Sequence, residues 1–326
     1  MIKKGLRIFL SSLFLFITAA LGYGQDFSFE ASLLAGLKNI NSKEELLINL
    51  GQKENTVSLL EWKTEVAPYL ELESQLAFAD KFFIKLNGFY TLPFSIGSMK
   101  DYDWMNIYST GGKELTHFSN HNNKLDFFYD TELAFGVGGA INSKVQLIQF
   151  LSFKYSYSSF TATGGYRQYG KKISEEAGKT IYSPWSDQLE KKPLEGKIVN
   201  WESQSLFAGL GTKILYNPGR SFNLEFFINL LPAIMDTSLD THYIRTLYTY
   251  FDFTSKLELD SWILIKYKLN NSNCLAAKLG FSAVTCPVSQ VFQSEDKSNW
   301  TKLANTGKYS SCCWSFALGY TYKYEK

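Results

Sequence analysis

The sequence predicts an all-β protein, a ten-stranded antiparallel transmembrane β-barrel with long extracellular loops, and three observations carry that expectation. The first 24 residues read as an export signal. Aromatic residues make up 16% of the chain, with 20 Tyr and 26 Phe, yet no later segment approaches the roughly 20 uninterrupted apolar residues of a membrane helix. Hydropathy alternates with period two over long stretches, with charges on one face and aromatics on the other. A soluble sandwich also alternates, but it has no use for so many charges on one face and so many large apolar groups on the other. A net charge of +2 gives no case for a nucleic-acid partner.

The elements follow in chain order. Lys3, Lys4 and Arg7 precede an apolar run from Ile8 to Leu21 and small residues at Gly22 and Gly24, the pattern of a signal peptide over 1–24. The barrel domain is then 25–326. Residues 39–54 read as the first long polar connection. From Ser58 to Leu72 the even positions are mostly apolar (Leu60, Trp62, Val66, Leu70), while Glu61, Lys63, Glu65, Glu71 and Glu73 occupy odd ones. Pro68 interrupts this strand, and since a closed barrel has no edge on which to leave a missing N–H, a bulge or break is expected there. Short turns are predicted at Ala79-Asp80, 139–143, 217–220 and 270–273, and further long connections at 96–121, 164–197, 237–245 and 287–307. From Lys256 to Leu269 and again from Ser311 to Tyr322 the alternation returns, ending in the aromatic face Trp314, Phe316, Leu318, Tyr320 and Tyr322. Four short and five long connections in alternation make ten strands, with the short turns periplasmic and the long loops outside.

Two of those loops hold chemistry. GSMKDYDWM at 97–105 places Asp101 and Asp103 in the second long loop, where two acids converge only if the backbone turns them together. The fourth long loop carries Asp240-Thr241-His242, and the chain has only three histidines, His117, His121 and His242. Strands three and four of a ten-stranded ring lie opposite strands seven and eight, so the two loops face each other. An imidazole can accept a proton from water, a neighbouring acid can orient the ring, and facing carboxylates can share a proton. Such motifs are also common among solvated loop residues. Two acids and one histidine could bind zinc, but no H-E-x-x-H or Cys/His spacing accompanies them.

GSMKDYDWM, followed by KLDFFYDTEL and YSYSSFTATGGYRQY, with LLEWKTEV at 59–66 and DTHY at 240–243, resembles the omptin family of bacterial outer-membrane endopeptidases. The resemblance covers most of the chain in the same order. It implies a ten-stranded barrel that hydrolyses peptide bonds at the cell surface. Asp101 and Asp103 would be one catalytic pair and Asp240 and His242 the other, activating water with no covalent intermediate, no metal and no cofactor. It further implies cleavage near basic residues. Counting back from LEWK without a gap puts the first specificity acid at Glu45, with Met99 also on the substrate side. Ser238 stands where the family has a second acid, so basic preference is expected to be weak unless Asp236 compensates.

The family's lipopolysaccharide-binding Tyr-x-Glu-x-Arg is replaced by Phe153, Tyr155 and Tyr157, which implies either an outer membrane whose outer leaflet lacks ordinary lipopolysaccharide or a barrel not activated by it. The partners expected are peptide or protein substrates and outer-membrane lipid, with the chain a monomer and its four cysteines free and packed. The rival reading is a non-catalytic barrel serving as adhesin or scaffold.

Overall fold

The computed structural model describes residues 27–325 apart from 52, 80, 112, 177, 220 and 254. The expected signal segment and the turn residues Asp80 and Arg220 lie outside the described residues. The chain forms β1 (Phe27–Leu50), β2 (Lys53–Phe78), β3 (Phe82–Thr91), β4 (Ile96–Asp103), a single helical turn α1 (Ile107–Thr110), β5 (His117–Ala140), β6 (Val145–Tyr169), β7 (Lys172–Glu176), β8 (Lys179–Tyr182), β9 (Lys192–Pro193), β10 (Lys197–Tyr216), β11 (Phe222–His242), β12 (Leu247–Phe253), β13 (Leu257–Lys268), β14 (Asn273–Ser294) and β15 (Thr301–Glu325). No helix among the described residues is long and apolar enough to cross a membrane.

The strands close into a ring. β1 pairs with β2 on one side and with β15 on the other, from Ser28↔Glu325 to Leu47↔Thr306. β3 and β4 together fill the place between β2 and β5, and β12 and β13 together fill that between β11 and β14. The result is ten antiparallel staves. Closure satisfies every edge, which is what allows strands to stand in lipid.

Several segments expected as loops are strand. β1 runs to Leu50 and β2 starts at Lys53, so 39–54 is mostly hairpin, and β14 and β15 likewise extend into 287–307. The second long connection, 96–121, contributes β4 and the start of β5. The reason is the medium. Above the lipid the outer face of a stave is wet, so polar residues there mark a strand standing in water and the period of two continues through them.

The apparent single stripe on β2 is two faces. Leu60, Trp62 and Thr64 point inward, but further down Leu70 and Leu72 are exposed on the outside while Glu71 and Glu73 are buried inside. The inversion occurs where the pairing register shifts, opposite Lys38/Ile40 on β1 and between Thr64 and Val66 against β4. It lies beside Pro68, as the missing N–H requires, and the neighbouring stave breaks there between Thr91 and Ile96.

Below the inversion the lumen is filled with ion pairs. Lys85 meets Glu132 at 3.1 Å, Lys154 meets Asp130 and Glu258 at 2.8 and 2.7 Å, Lys213 meets Glu225 at 2.7 Å, and Lys278 meets Glu71 at 2.6 Å. Phe227 and Trp262 stack among them at 5.1 Å. Breaking one such pair would leave a buried charge at a cost of about 3–5 kcal/mol. Leu33, Leu37, Ile263, Phe316 and Leu318 face outward at the same level, giving an apolar belt around a charged core.

Candidate active site

Above that core the mouth is floored by Trp62, Met99, Phe160, Trp201 and Tyr309, with Trp201 and Tyr309 stacked at 5.2 Å. Two staves, β4 and β11, raise the candidate pairs over this floor. Asp101 and Asp103 belong to β4 and not to a loop. They are two positions apart, so the strand places both side chains on its inner face, and both are buried. Asp240 and His242 repeat the arrangement on β11, the stave opposite. There the ring donates through Nε2 to Asp240 Oδ2 at 2.7 Å, leaving Nδ1 as the basic nitrogen. The two walls are joined by Arg245, in the turn between β11 and β12, whose Nη2 donates to Asp103 Oδ2 at 3.2 Å.

The electrostatics are those of a buried polar site. Burial, reinforced by the charge of Asp103, pushes the Asp101 carboxyl up to about 7. Burial alone would lower His242, but the Asp240 carboxylate and its hydrogen bond, together with the charge of Asp101, outweigh it and the ring is raised. Asp101 Oδ1, Asp240 Oδ1 and Ser238 Oγ are buried and have no protein partner, while the Trp201 indole lies against the Glu44 carboxyl as a donor. Buried polar atoms are normally paired. Three of them around one floor make a place for a polar guest.

The remaining expected residues divide. Ser238 is buried two positions below Asp240. Asp236 is engaged by Lys256 Nζ at 2.8 Å and by the Ser205 hydroxyl, so it is not free to replace the missing acid. Met99 is fully buried in the floor. Glu45 is displaced: it lies on the outer face, on the side of Lys43, and the acid that points inward is Glu44. Cross-strand partners share a face, and Glu44 lies opposite the inward-facing Leu60. That pairing is the signal that gap-free counting missed. Burial pushes the Glu44 carboxyl well up, with Asp240 adding to the shift.

His117 and His121 are not loop residues either. Both are buried on β5. His121 is tied to the Gly164 carbonyl and the Ser119 hydroxyl at 2.6 and 2.7 Å. His117 lies opposite Asp103, wedged against the rings of Tyr169 and Tyr182, and burial lowers it to about 4. Sequence reasoning missed Glu44, His117, Tyr169, Trp201 and Arg245 as neighbours of the site.

A model of the Omptin family matches residues 24–324. The chain belongs to the omptin family. Omptins are outer-membrane proteases, and this barrel is one of them. Its fold is similar to the crystal structure of the outer membrane protease OmpT from Escherichia coli, with a TM-score of 0.76 at 17% identity over 91% of this chain and 97% of that one. The outer membrane protein OprG from Pseudomonas aeruginosa (TM-score 0.36, 9% identity, 92% and 96% covered) and the translocator domain of the autotransporter NalP from Neisseria meningitidis (0.36, 10%, 97% and 97%) are far less similar. No curated protein sequence matches the chain.

Two features set this omptin's details. On the outer face of β6, Phe153 is exposed, while Tyr155 and Tyr157 cluster with Tyr129 at 6.1 and 5.4 Å, an aromatic surface with no cation. All four cysteines are free, so Cys286 forms no disulfide with Cys312 or Cys313.

Proposed function

We propose that this omptin hydrolyses peptide bonds with water activated between the Asp101–Asp103 pair and the Asp240–His242 pair, at the end of the barrel that faces the cell exterior. The observation that carries this reading is the meeting of two inward i, i+2 pairs from opposite staves, joined by Arg245, over an apolar floor. Water gives a proton to His242 Nδ1 as its oxygen bonds to the scissile carbonyl carbon. The acid pair, carrying one proton, donates to the oxygen on which negative charge develops. The C–N bond then breaks as the amine takes the proton held by His242, one hydroxyl of the intermediate returns its proton to the acid pair, and the new carboxyl group leaves on the other product.

Glu44 is the group proposed to receive a basic side chain of the substrate. It is buried beside the Trp201 indole with no cation paired to it among the described residues, and Ser238 offers a hydroxyl where a second carboxylate would strengthen the pocket. The test is turnover of a peptide library by refolded barrel. Cleavage lost in Asp101→Ala and in His242→Ala supports the reading. Full activity in either variant would sink it and leave a surface scaffold.

A further inference from the structure

We infer that Arg245 is a positioning residue that divides the acid pair between two roles, pairing with Asp103 as a carboxylate and leaving Asp101 to carry the pair's proton. The inference rests on the hydrolytic reading above and deepens it. Asp101 and Asp103 are chemically equal and share one face of β4, so nothing in the strand itself says which of them is the donor.

The asymmetry comes from across the mouth. Arg245 sits in the turn 243–246, where Thr246 takes a left-handed φ of 50° before β12 begins. Its guanidinium reaches Asp103 Oδ2 at 3.2 Å. Asp101, two residues further in, keeps a buried Oδ1 with no protein partner. A cation bound to one of two neighbouring acids favours the charged form of that acid, and a single proton then resides on the other. Burial disfavours the guanidinium's charge, but Asp103, Asp101 and Tyr169 together outweigh it, so Arg245 stays charged through any working pH.

The other groups around the pair do not supply this asymmetry. From β5, His117 faces Asp103 but is held neutral by burial. From β6, Tyr169 packs on His117 and Arg167 adds a more distant positive charge that His117 also feels. β2 presents only Ser58 and Leu60 opposite the two acids. Glu44 from β1 and Asp240 from β11 bear on Asp101 as like charges, and His242 as an opposite one. Arg245 is the cation in contact with Asp103, and it touches no reacting atom.

The experiment has one arm that needs no turnover. Aspartate carbon-13 spectra of the refolded barrel, with the two resonances assigned through Asp101→Asn and Asp103→Asn, should place the pair's proton on Asp101 and not on Asp103, so that the two resonances are separate. In Arg245→Gln the separation should collapse and the pair's midpoints should rise by on the order of one pH unit. Arg245→Lys should restore most of the separation. In the second arm, both limbs of the pH profile of kcat/KM should move upward in Arg245→Gln and return in Arg245→Lys. Unmoved aspartate midpoints in Arg245→Gln at full barrel folding would overturn the inference, as would midpoints displaced equally by Gln and Lys. If the spectra behave as stated but the wild type cleaves no peptide, the charge division stands and the hydrolytic reading fails.

Discussion

His242 donates through Nε2 to Asp240 Oδ2 at 2.7 Å from two positions further along the same face of β11. On the proposed mechanism that contact holds one ring nitrogen for orientation and leaves the other for proton transfer. Asp240→Asn should therefore lower kcat by a large factor with little change in KM. His242→Ala and Asp101→Ala should each cost about 10²–10⁴-fold in kcat, and the double variant little more than either, because groups acting as a unit are not additive. Steady-state kinetics at matched barrel folding measure this, and a chelator added to the same assay is expected to leave turnover unchanged.

The pH dependence follows from the direction of two shifts. Asp101 is raised to about 7 and His242 is raised above its ordinary value. Below the lower apparent pKa of this assembly the ring is protonated and cannot accept a proton from water. Above the upper one the acid pair has lost its proton. Activity should trace a narrow bell with its maximum close to neutrality, its limbs belonging to the assembly and not to single residues. A profile flat over about two pH units on either side of neutrality would contradict the arrangement.

Specificity should depend on Glu44 and not on Glu45. Glu44→Gln is expected to reduce cleavage beside Lys and Arg relative to other sites, whereas Glu45→Gln, on the outer face, should leave the cleavage pattern unchanged. Ser238→Asp should raise the preference for basic residues by supplying the second carboxylate. Library digestion followed by mass spectrometry reads all three.

Orientation can be read on intact cells. Added protease should cut within the 183–191 stretch between β8 and β9, and the short turn at 217–219 should stay protected until the outer membrane is opened. Cleavage at 217–219 in intact cells would reverse the proposed topology.

The outer face of β6 predicts indifference to lipopolysaccharide. Tyr155 and Tyr157 suit acyl chains and the membrane interface but offer no cation to a lipid phosphate. Activity of detergent-refolded barrel should change less than about twofold on adding lipopolysaccharide, a scale set by the roughly 1 kcal/mol each missing cation would contribute.

How much of this was legible without coordinates is best judged residue by residue. The alternation along Lys256–Leu269 and Ser311–Tyr322 was read with the right faces, since Ile263, Ile265, Trp314 and Phe316 are outside and Lys256, Glu258 and Lys266 inside. The same alternation on β2 misled, because one bulge exchanges the two faces within a single apparently continuous stripe. Gap-free counting lands on Glu45 and not on Glu44 for the related reason that counting along one strand carries no information about the partner that sets its register.

The local pattern of the chain determined the class of fold and the number of staves, since period two and turn residues are properties of neighbours in sequence. The four residues proposed for hydrolysis were picked out by the resemblance of their motifs to the omptin family and not by spacing alone. Only the closed barrel decided that both acid pairs stand on strands and face inward. It also placed Glu44 at the pocket, turned Lys256 onto Asp236, and brought Arg245 across the mouth to Asp103. Each of these depends on register and closure, which relate segments as far apart as Asp236 and Lys256 (20 residues) or Asp103 and Arg245 (142 residues) and which no local pattern encodes.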